Sequence, residues 1–343
     1  KPLMKNKTTI YGILILTLLF AFIHSAFSQV TQQWTAKYSG TGNSVDLPTA
    51  MTMDASGNIY VTGQTILTGN TQAFGTVKYN SAGAQQWLAT YAGTDANNEM
   101  AKSIAVDASG NVYVTGFSAT TGAALDIATV KYNSAGVQQW AVRFNGTANG
   151  FDEPAKVAVD ASGNVYVYGH SAMTGSSSDL VTIKYNSAGV EQWMTKYNGT
   201  TNQDEVSTAM AIDGSGNVYV LGKTRVDLFS CAFVTVKYNA SGVQQWVKTY
   251  AGPGNSEDTP AALVLDASGN VYVTGTSYGA GPQMDYTTIK YNTGGDQQWV
   301  ARYNGTENLG DQATAVAVDA SGNVYVTGFS ESATTMNDIV TIK

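Results

Sequence analysis

Asp107-Ala108-Ser109-Gly110-Asn111-Val112-Tyr113-Val114-Thr115-Gly116 returns letter for letter at Asp266 to Gly275 and at Asp319 to Gly328, and near copies begin at Asp54, Asp160 and Asp213. The six starts are each 53 residues apart. Further out, Trp34, Trp87, Trp140, Trp193, Trp246 and Trp299 keep the same 53-residue spacing, so no copy has gained or lost a residue. Self-similarity at this period marks a repeat architecture, and the copies show no apolar helical period that would suggest an α-solenoid.

One copy contains four strand-like runs rich in Val, Ile, Thr and Tyr. In the fifth copy they are Ala261 to Leu265, Val271 to Thr274, Tyr286 to Tyr291 and Gln297 to Tyr303. The first two are joined by Asp266-Ala267-Ser268-Gly269-Asn270, where the carboxylate can accept backbone amides inside the turn and glycine can take the left-handed position. Asn292-Thr293-Gly294-Gly295 joins the last two, and tight turns of this kind force antiparallel pairing. Longer loops are expected between the second and third runs and between the fourth run and the next copy. In Val112-Tyr113-Val114 neither side of the strand is purely polar, so both faces of each small sheet need cover. Stacking like sheets on one another supplies it. The sequence therefore predicts an all-β chain: a β-propeller of four-stranded antiparallel blades, built from six repeats of 53 residues.

The segment from Gly305 through Asp311, with Asp319-Ala320-Ser321-Gly322-Asn323-Val324-Tyr325-Val326-Thr327-Gly328, resembles the bacterial β-propeller repeat called SBBP, and the likeness extends over residues 30–343. The resemblance implies an exported bacterial propeller, often a module of a larger surface protein, with no defined activity or catalytic residues to carry over. That family is named for seven-bladed propellers, whereas six copies stand here. The mature chain begins with a fourth-type run, Val30 to Tyr38, and stops at Lys343 after a third-type run. Closure with six blades would pair these two. A seven- or eight-bladed parent, with the chain truncated at its C-terminus, is the alternative.

Of the 343 residues 43% are hydrophobic and 13% charged, which suits a globular chain. Residues 1–28 stand apart: Lys5 and Lys7 precede an apolar run from Ile10 to Ile23, followed by Ala26-Phe27-Ser28. They read as a secretory signal peptide, since the apolar run falls short of the ~20 residues a membrane span needs. The propeller then occupies residues 29–343. Cleavage would remove three lysines and no acid, leaving 15 basic against 25 acidic residues and moving the formal charge from −7 to −10. An acidic, exported unit, expected to be monomeric and without a span in its mature form, is a poor partner for nucleic acid or an anionic membrane. Cys231, the lone cysteine, cannot make an internal disulfide and reads as a loop substitution.

Chemistry is expected on the face that carries the longer loops. One candidate is the acidic position ahead of each first strand, at Asp46, Glu99, Asp152, Glu205, Asp258 and Asp311. A ring of such oxygens would suit calcium, although a carboxylate present in every copy is equally suited to capping its own loop. The other candidate is the divergent second-to-third connection, where Phe117, His170, Arg225, Phe229, Tyr278 and Phe329 are possible ligand-contacting residues for a protein or glycan. Lys78, Lys131, Lys184, Lys237, Lys290 and Lys343 are expected on solvated strand edges, and the tryptophans between blades.

Enzyme readings find little support. His170 is the only histidine beyond residue 28, a conventional zinc set is missing, and the acids repeat in equivalent surroundings rather than in the unlike ones a glycosidase needs. The expectation is a secreted, extracellular or cell-surface propeller acting as a structural or recognition module without catalysis. The alternative is a calcium-dependent hydrolase or lyase with its site at the channel mouth.

Overall fold

The computed structural model describes residues 31–343 apart from 43, 94–97, 120–123, 255 and 280–282. Chain contacts separate Lys1–Thr35 from Ala36–Lys343. The predicted signal peptide at 1–28 lies outside the described residues. Among the described residues every strand lies in the second unit. Its first blade comprises β1 (Leu47–Met53), β2 (Ile59–Leu67), β3 (Thr71–Tyr79) and β4 (Gln85–Tyr91). The second comprises β5 (Met100–Val106), β6 (Val112–Ala119), β7 (Leu125–Tyr132) and β8 (Gln138–Phe144). Then come β9 (Asp152–Val159), β10 (Val165–Ala172), β11 (Ser178–Tyr185) and β12 (Glu191–Tyr197). The fourth blade has β13 (Val206–Ile212), β14 (Val218–Arg225), β15 (Cys231–Tyr238) and β16 (Gln244–Tyr250). The fifth has β17 (Thr259–Leu265), β18 (Val271–Tyr278), β19 (Met284–Tyr291) and β20 (Gln297–Tyr303), and the sixth β21 (Asp311–Val318), β22 (Val324–Ser332) and β23 (Met336–Ile342). Within each blade neighbours in sequence are neighbours in the sheet, and five sheets have four strands while the last has three. Among the described residues no helix is long and apolar enough to cross a membrane.

The repeated decapeptide is a knotted hairpin. In the second blade Asp107 Oδ1 accepts the backbone N–H groups of Ser109 and Asn111, both at 2.9 Å. Its Oδ2 accepts Asn111 Nδ2 at 2.8 Å and the Tyr113 hydroxyl at 2.9 Å. Gly110 completes the turn at φ 77°, a conformation that costs a side-chain-bearing residue dearly. One carboxylate thus fixes both the turn and the start of the next strand. Burial pushes the Asp107 carboxyl upward, but these hydrogen bonds outweigh it and the net shift is downward.

Alternation along the second strand explains why both faces are apolar. In the second blade Val112 and Val114 pack back on Tyr60 and Phe74 of the first, while Tyr113 faces forward into the cluster around Val165 and Val167 of the third. The pattern continues through the remaining blades. Two devices set the spacing. The tip of a third-strand residue presses on a glycine of the next blade: a Cβ on Gly116 would lie 2.6 Å from Phe74 Cζ, and one on Gly275 2.7 Å from Phe233 Cζ. That glycine also faces a bulge at which Lys102 is the extra residue of β5, and the added Cβ would stand 2.2 Å from the Met100 carbonyl oxygen. At the outer strand, Trp87 Nε1 donates to Ser134 O of the following blade at 3.0 Å, and the same bond recurs from Trp140, Trp193 and Trp246. These four tryptophans therefore pack between blades as expected.

Three expectations are corrected. First, five of the six lysines do not sit on edges, while Lys343 follows β23, the edge strand of the last sheet. The five lie on third strands inside the sheet, with Lys131 Nζ 5.3 Å from the Tyr113 ring centroid while donating to Ser187 O of the next blade. An aliphatic stem across a tyrosine face, with the charge led outward, suits a half-buried position. Second, the second-to-third connections are short. The second strands run on to Ala172, Arg225 and Tyr278, and left-handed residues such as Gly175 at φ 88° close the turn. Third, Cys231 is the buried first residue of β15, not a loop residue, and burial pushes its thiol pKa up. The described residues of 31–46 contain no strand, and among the described residues β23 pairs with β22 alone. Ile339 accordingly stands 89% exposed at the position where Phe74, Ile127, Leu180, Phe233 and Tyr286 are buried.

Candidate functional site

First strands of consecutive blades lie beside one another and form the inner wall. The knotted hairpins and the Asn-led turns close one end of each blade. The fourth-to-first loops and the second-to-third connections lie at the other, and the inner rim of that variable end gathers the side chains that differ from blade to blade.

The acidic positions belong to this rim, and the four aspartates among them are tied to backbone amides beside them. Asp152 Oδ2 accepts Gly146 N–H at 2.7 Å, and its Oδ1 accepts the Ser171 hydroxyl at 2.6 Å and Ala172 N–H at 3.1 Å. Asp46, Asp258 and Asp311 accept the equivalent glycine amides at 2.8, 2.6 and 2.7 Å. Asn149, Asn202 and Asn308, three residues ahead of their acids, hold left-handed φ of 53°, 55° and 54°, a conformation asparagine tolerates. Asn43 and Asn255 lie outside the described residues. Among the described residues no three His, Cys, Asp or Glu side chains gather as a ligand set for a metal ion.

Two blades carry glutamate at this position, and the extra methylene matters. The Glu205 side chain is fully buried; Thr224 Oγ1 donates to its Oε1 at 2.9 Å, while Oε2 has no partner. Burial pushes the Glu205 carboxyl up to about 7, against the partial relief of the Thr224 and Gly199 hydrogen bonds and with further upward pressure from Asp179 and Asp204. Burial raises Glu99, Asp152 and Asp258 in the same direction.

Phe117 and His170 occupy one structural position, on β6 and β10 beside the bulge glycine, and both are half-buried strand residues rather than loop residues. The structure brings them together through Phe151: ring centroids are 6.3 Å apart for Phe117–Phe151 and 6.4 Å for Phe151–His170. Lys102 Nζ stands 5.2 Å from the Phe117 centroid and pairs with Glu153 at 2.6 Å. His170 Nδ1 shares a hydrogen bond with Ser207 Oγ at 3.0 Å, and burial lowers its pKa, favouring the neutral ring. One blade on, Lys223 takes the His170 position and pairs with Glu257 at 2.7 Å. A continuous band of aromatic and charged side chains thus crosses the second to fifth blades.

The other expected residues stand apart from this band. Arg225 ends β14 and donates from Nη1 to Leu228 O at 3.1 Å, below a tip where Phe229 is 86% exposed. Tyr278 ends β18, and Phe329 lies on β22 of the last blade. Lys102, Phe151, Glu153, Asp204, Lys223 and Glu257 escape a search confined to divergent loops. Comparing the repeats column by column finds them: one column reads Gln64, Phe117, His170, Lys223, Thr276, Phe329, and another Val45, Asn98, Phe151, Asp204, Glu257, Gly310.

A family model described as Beta-propeller repeat, SBBP, matches residues 192–230. The regulatory protein FlaEY of Caulobacter vibrioides is 27% identical over 158 residues, which is 42% of this chain and 16% of that protein. The chain therefore spans about a sixth of that relative's length. Among solved structures, an ulvan lyase of polysaccharide lyase family PL25, bound to a disaccharide of glucuronate and sulfated rhamnose, aligns with TM-score 0.50 at 14% identity, over 80% of this chain and 76% of that one. A putative exo-β-1,3-galactanase from Bifidobacterium bifidum aligns with TM-score 0.39 at 12% identity, over 70% of this chain and 85% of that one. At these identities the likeness concerns the fold alone. The matched segment spans β12 to β14 and includes one of the six knotted hairpins, and the chain is a multi-blade β-propeller in which that segment is similar to the SBBP repeat.

Proposed function

We propose that the chain is a recognition module acting outside the cytoplasm, which binds a protein or a glycan through the inner rim of its variable end and catalyses no reaction. The observation that carries this reading is the band from Lys102 to Glu257. In a molecule whose positions otherwise repeat, aromatic and charged variety concentrates where solvent reaches the rim, and loop-end surfaces on rigid scaffolds are where binding residues collect. Exposed Phe151 supplies a flat apolar surface with fixed charges beside it. Screening the secreted protein against arrayed glycans and extracellular proteins tests the reading, with saturable binding expected that Phe151→Ala and His170→Ala weaken at least tenfold. Export itself predicts a mature N-terminus at Gln29, checked by N-terminal sequencing.

A calcium-dependent hydrolase or lyase is the second reading. It is favoured by one observation: a half-buried histidine and a carboxyl pushed to about 7 line the same cleft, as acid–base pairs do. Incubation with uronate polysaccharides, ulvan included, with calcium and with chelator, decides it. Unsaturated or shortened products that disappear in Glu205→Gln would replace the binding reading.

A further inference from the structure

The cleft between the third and fourth blades holds about 390 Å³ and is lined by Phe151, His170, Ser178, Asp204, Glu205 and Val206. Its polar atoms are oddly matched. Glu205 Oε2 and Ser178 Oγ are buried without partners, and a carboxylate oxygen can only be satisfied by a donor. The local cations are already committed: Lys196 Nζ binds Asp179 at 2.8 Å and Lys102 binds Glu153 at 2.6 Å. Among the described residues Asp204 and Glu205 form no ion pair, and the neutral His170 ring adds no charge. The cleft therefore has an acid without a cation at Asp204, an unmet oxygen at Glu205 and an aromatic wall.

Resting on the recognition reading, we propose that this cleft binds an organic cation: an ammonium or guanidinium group on an aliphatic stem, as a lysine or arginine side chain of a partner protein presents. Phe151, 44% exposed, lies against the stem, and the Asp204 and Glu205 carboxylates receive the charge. A cation beside an aromatic face and two carboxylates gains from both. A bare divalent ion fits poorly, because hard cations take six or more oxygens and the Phe151 and Val206 walls offer none.

Titration of the full chain with Nα-acetyl-lysine methylamide and Nα-acetyl-arginine methylamide, followed by amide chemical shifts, tests the assignment. Nα-acetyl-norleucine methylamide and methyl β-glucoside serve as uncharged comparisons. The expected result is saturable shifts around Phe151 and Asp204 with both cations, at least tenfold weaker in Phe151→Ala and in Asp204→Asn, a surface substitution that leaves folding intact. Glu205→Gln is expected to weaken binding similarly. Equal binding of norleucine amide or glucoside, no binding of either cation, or unchanged binding in Asp204→Asn would each overturn it. If the cations fail while a glycan or protein from the screens binds elsewhere on the rim, this assignment falls and the recognition reading stands. If nothing binds at all, both fall.

Discussion

Glu205 and Asp152 occupy the same place in successive blades, and the difference of one methylene changes what each does. Asp152 reaches its glycine amide and serine hydroxyl, whereas Glu205 keeps one oxygen buried and unmatched. With its carboxyl raised from 4.5 to about 7, folded Glu205 holds its proton more tightly than the unfolded chain does. Stability from this group is therefore fully present below pH 4.5 and is lost as pH rises through 7, a contribution of ~3 kcal/mol. Urea midpoints at pH 5 and pH 8 should show wild type losing about that much more than Glu205→Gln. The hairpin aspartates behave oppositely. Hydrogen bonds hold Asp266 below its ordinary value despite burial, so its contribution is present above the usual carboxylate range and is lost on acidification. Asp266→Ala removes four acceptor contacts, to Ser268, Asn270 twice and Tyr272, and should cost ~2–3 kcal/mol near neutral pH in the same assay.

Within a blade, the third and fourth strands carry a coupled pair that the repeat itself reveals. Asp126, Asp179 and Asp285 meet Arg143, Lys196 and Arg302, whereas blades with Ala73 and Ala232 carry Thr90 and Thr249 opposite them. Acid and base enter or leave together because a buried carboxylate without its cation is costly. Lys196→Thr alone should destabilise by ~3 kcal/mol, and adding Asp179→Ala should recover most of it, restoring the pair found in the first and fourth blades. A double-mutant cycle by chemical denaturation checks this, and a simple sum of the two single effects would refute the coupling. These columns were open to inspection in the sequence. Attention to what recurs passes over them, since a pair that alternates between two solutions looks like drift until both columns are read together. His170 illustrates the same limit: its serine-rich neighbours suggest a loop, yet Gly169 opposite the bulge keeps β10 running through it to Ala172.

Across the whole molecule, the blades, their turns and the tryptophan contacts were legible because each is set by residues within 53 positions of one another. Blade number is not legible in the same way, since it depends on small rotations accumulated over many blades, and identical repeats say nothing of where the sum ends. The same distinction predicts unequal tolerance at one repeat position. Leu180→Lys buries an unpaired charge between blades and should cost at least ~3 kcal/mol, whereas Ile339→Lys, on the uncovered face of the last blade, should stay within ~0.5 kcal/mol in thermal and urea unfolding. Equal losses at both would show that the last face is covered in solution.

The central claim is that recognition lies where the repeats disagree. Its most direct measurement compares two variants against whatever ligand the glycan and protein screens return: Phe117→Thr with Phe151→Gly and His170→Thr at the rim, and Ala108→Lys with Ala161→Lys on the exposed hairpins at the opposite end. At least tenfold weaker binding in the rim variant, with the hairpin variant unchanged, is the predicted result. Unchanged binding in the rim variant, or loss confined to the hairpin variant, would contradict it.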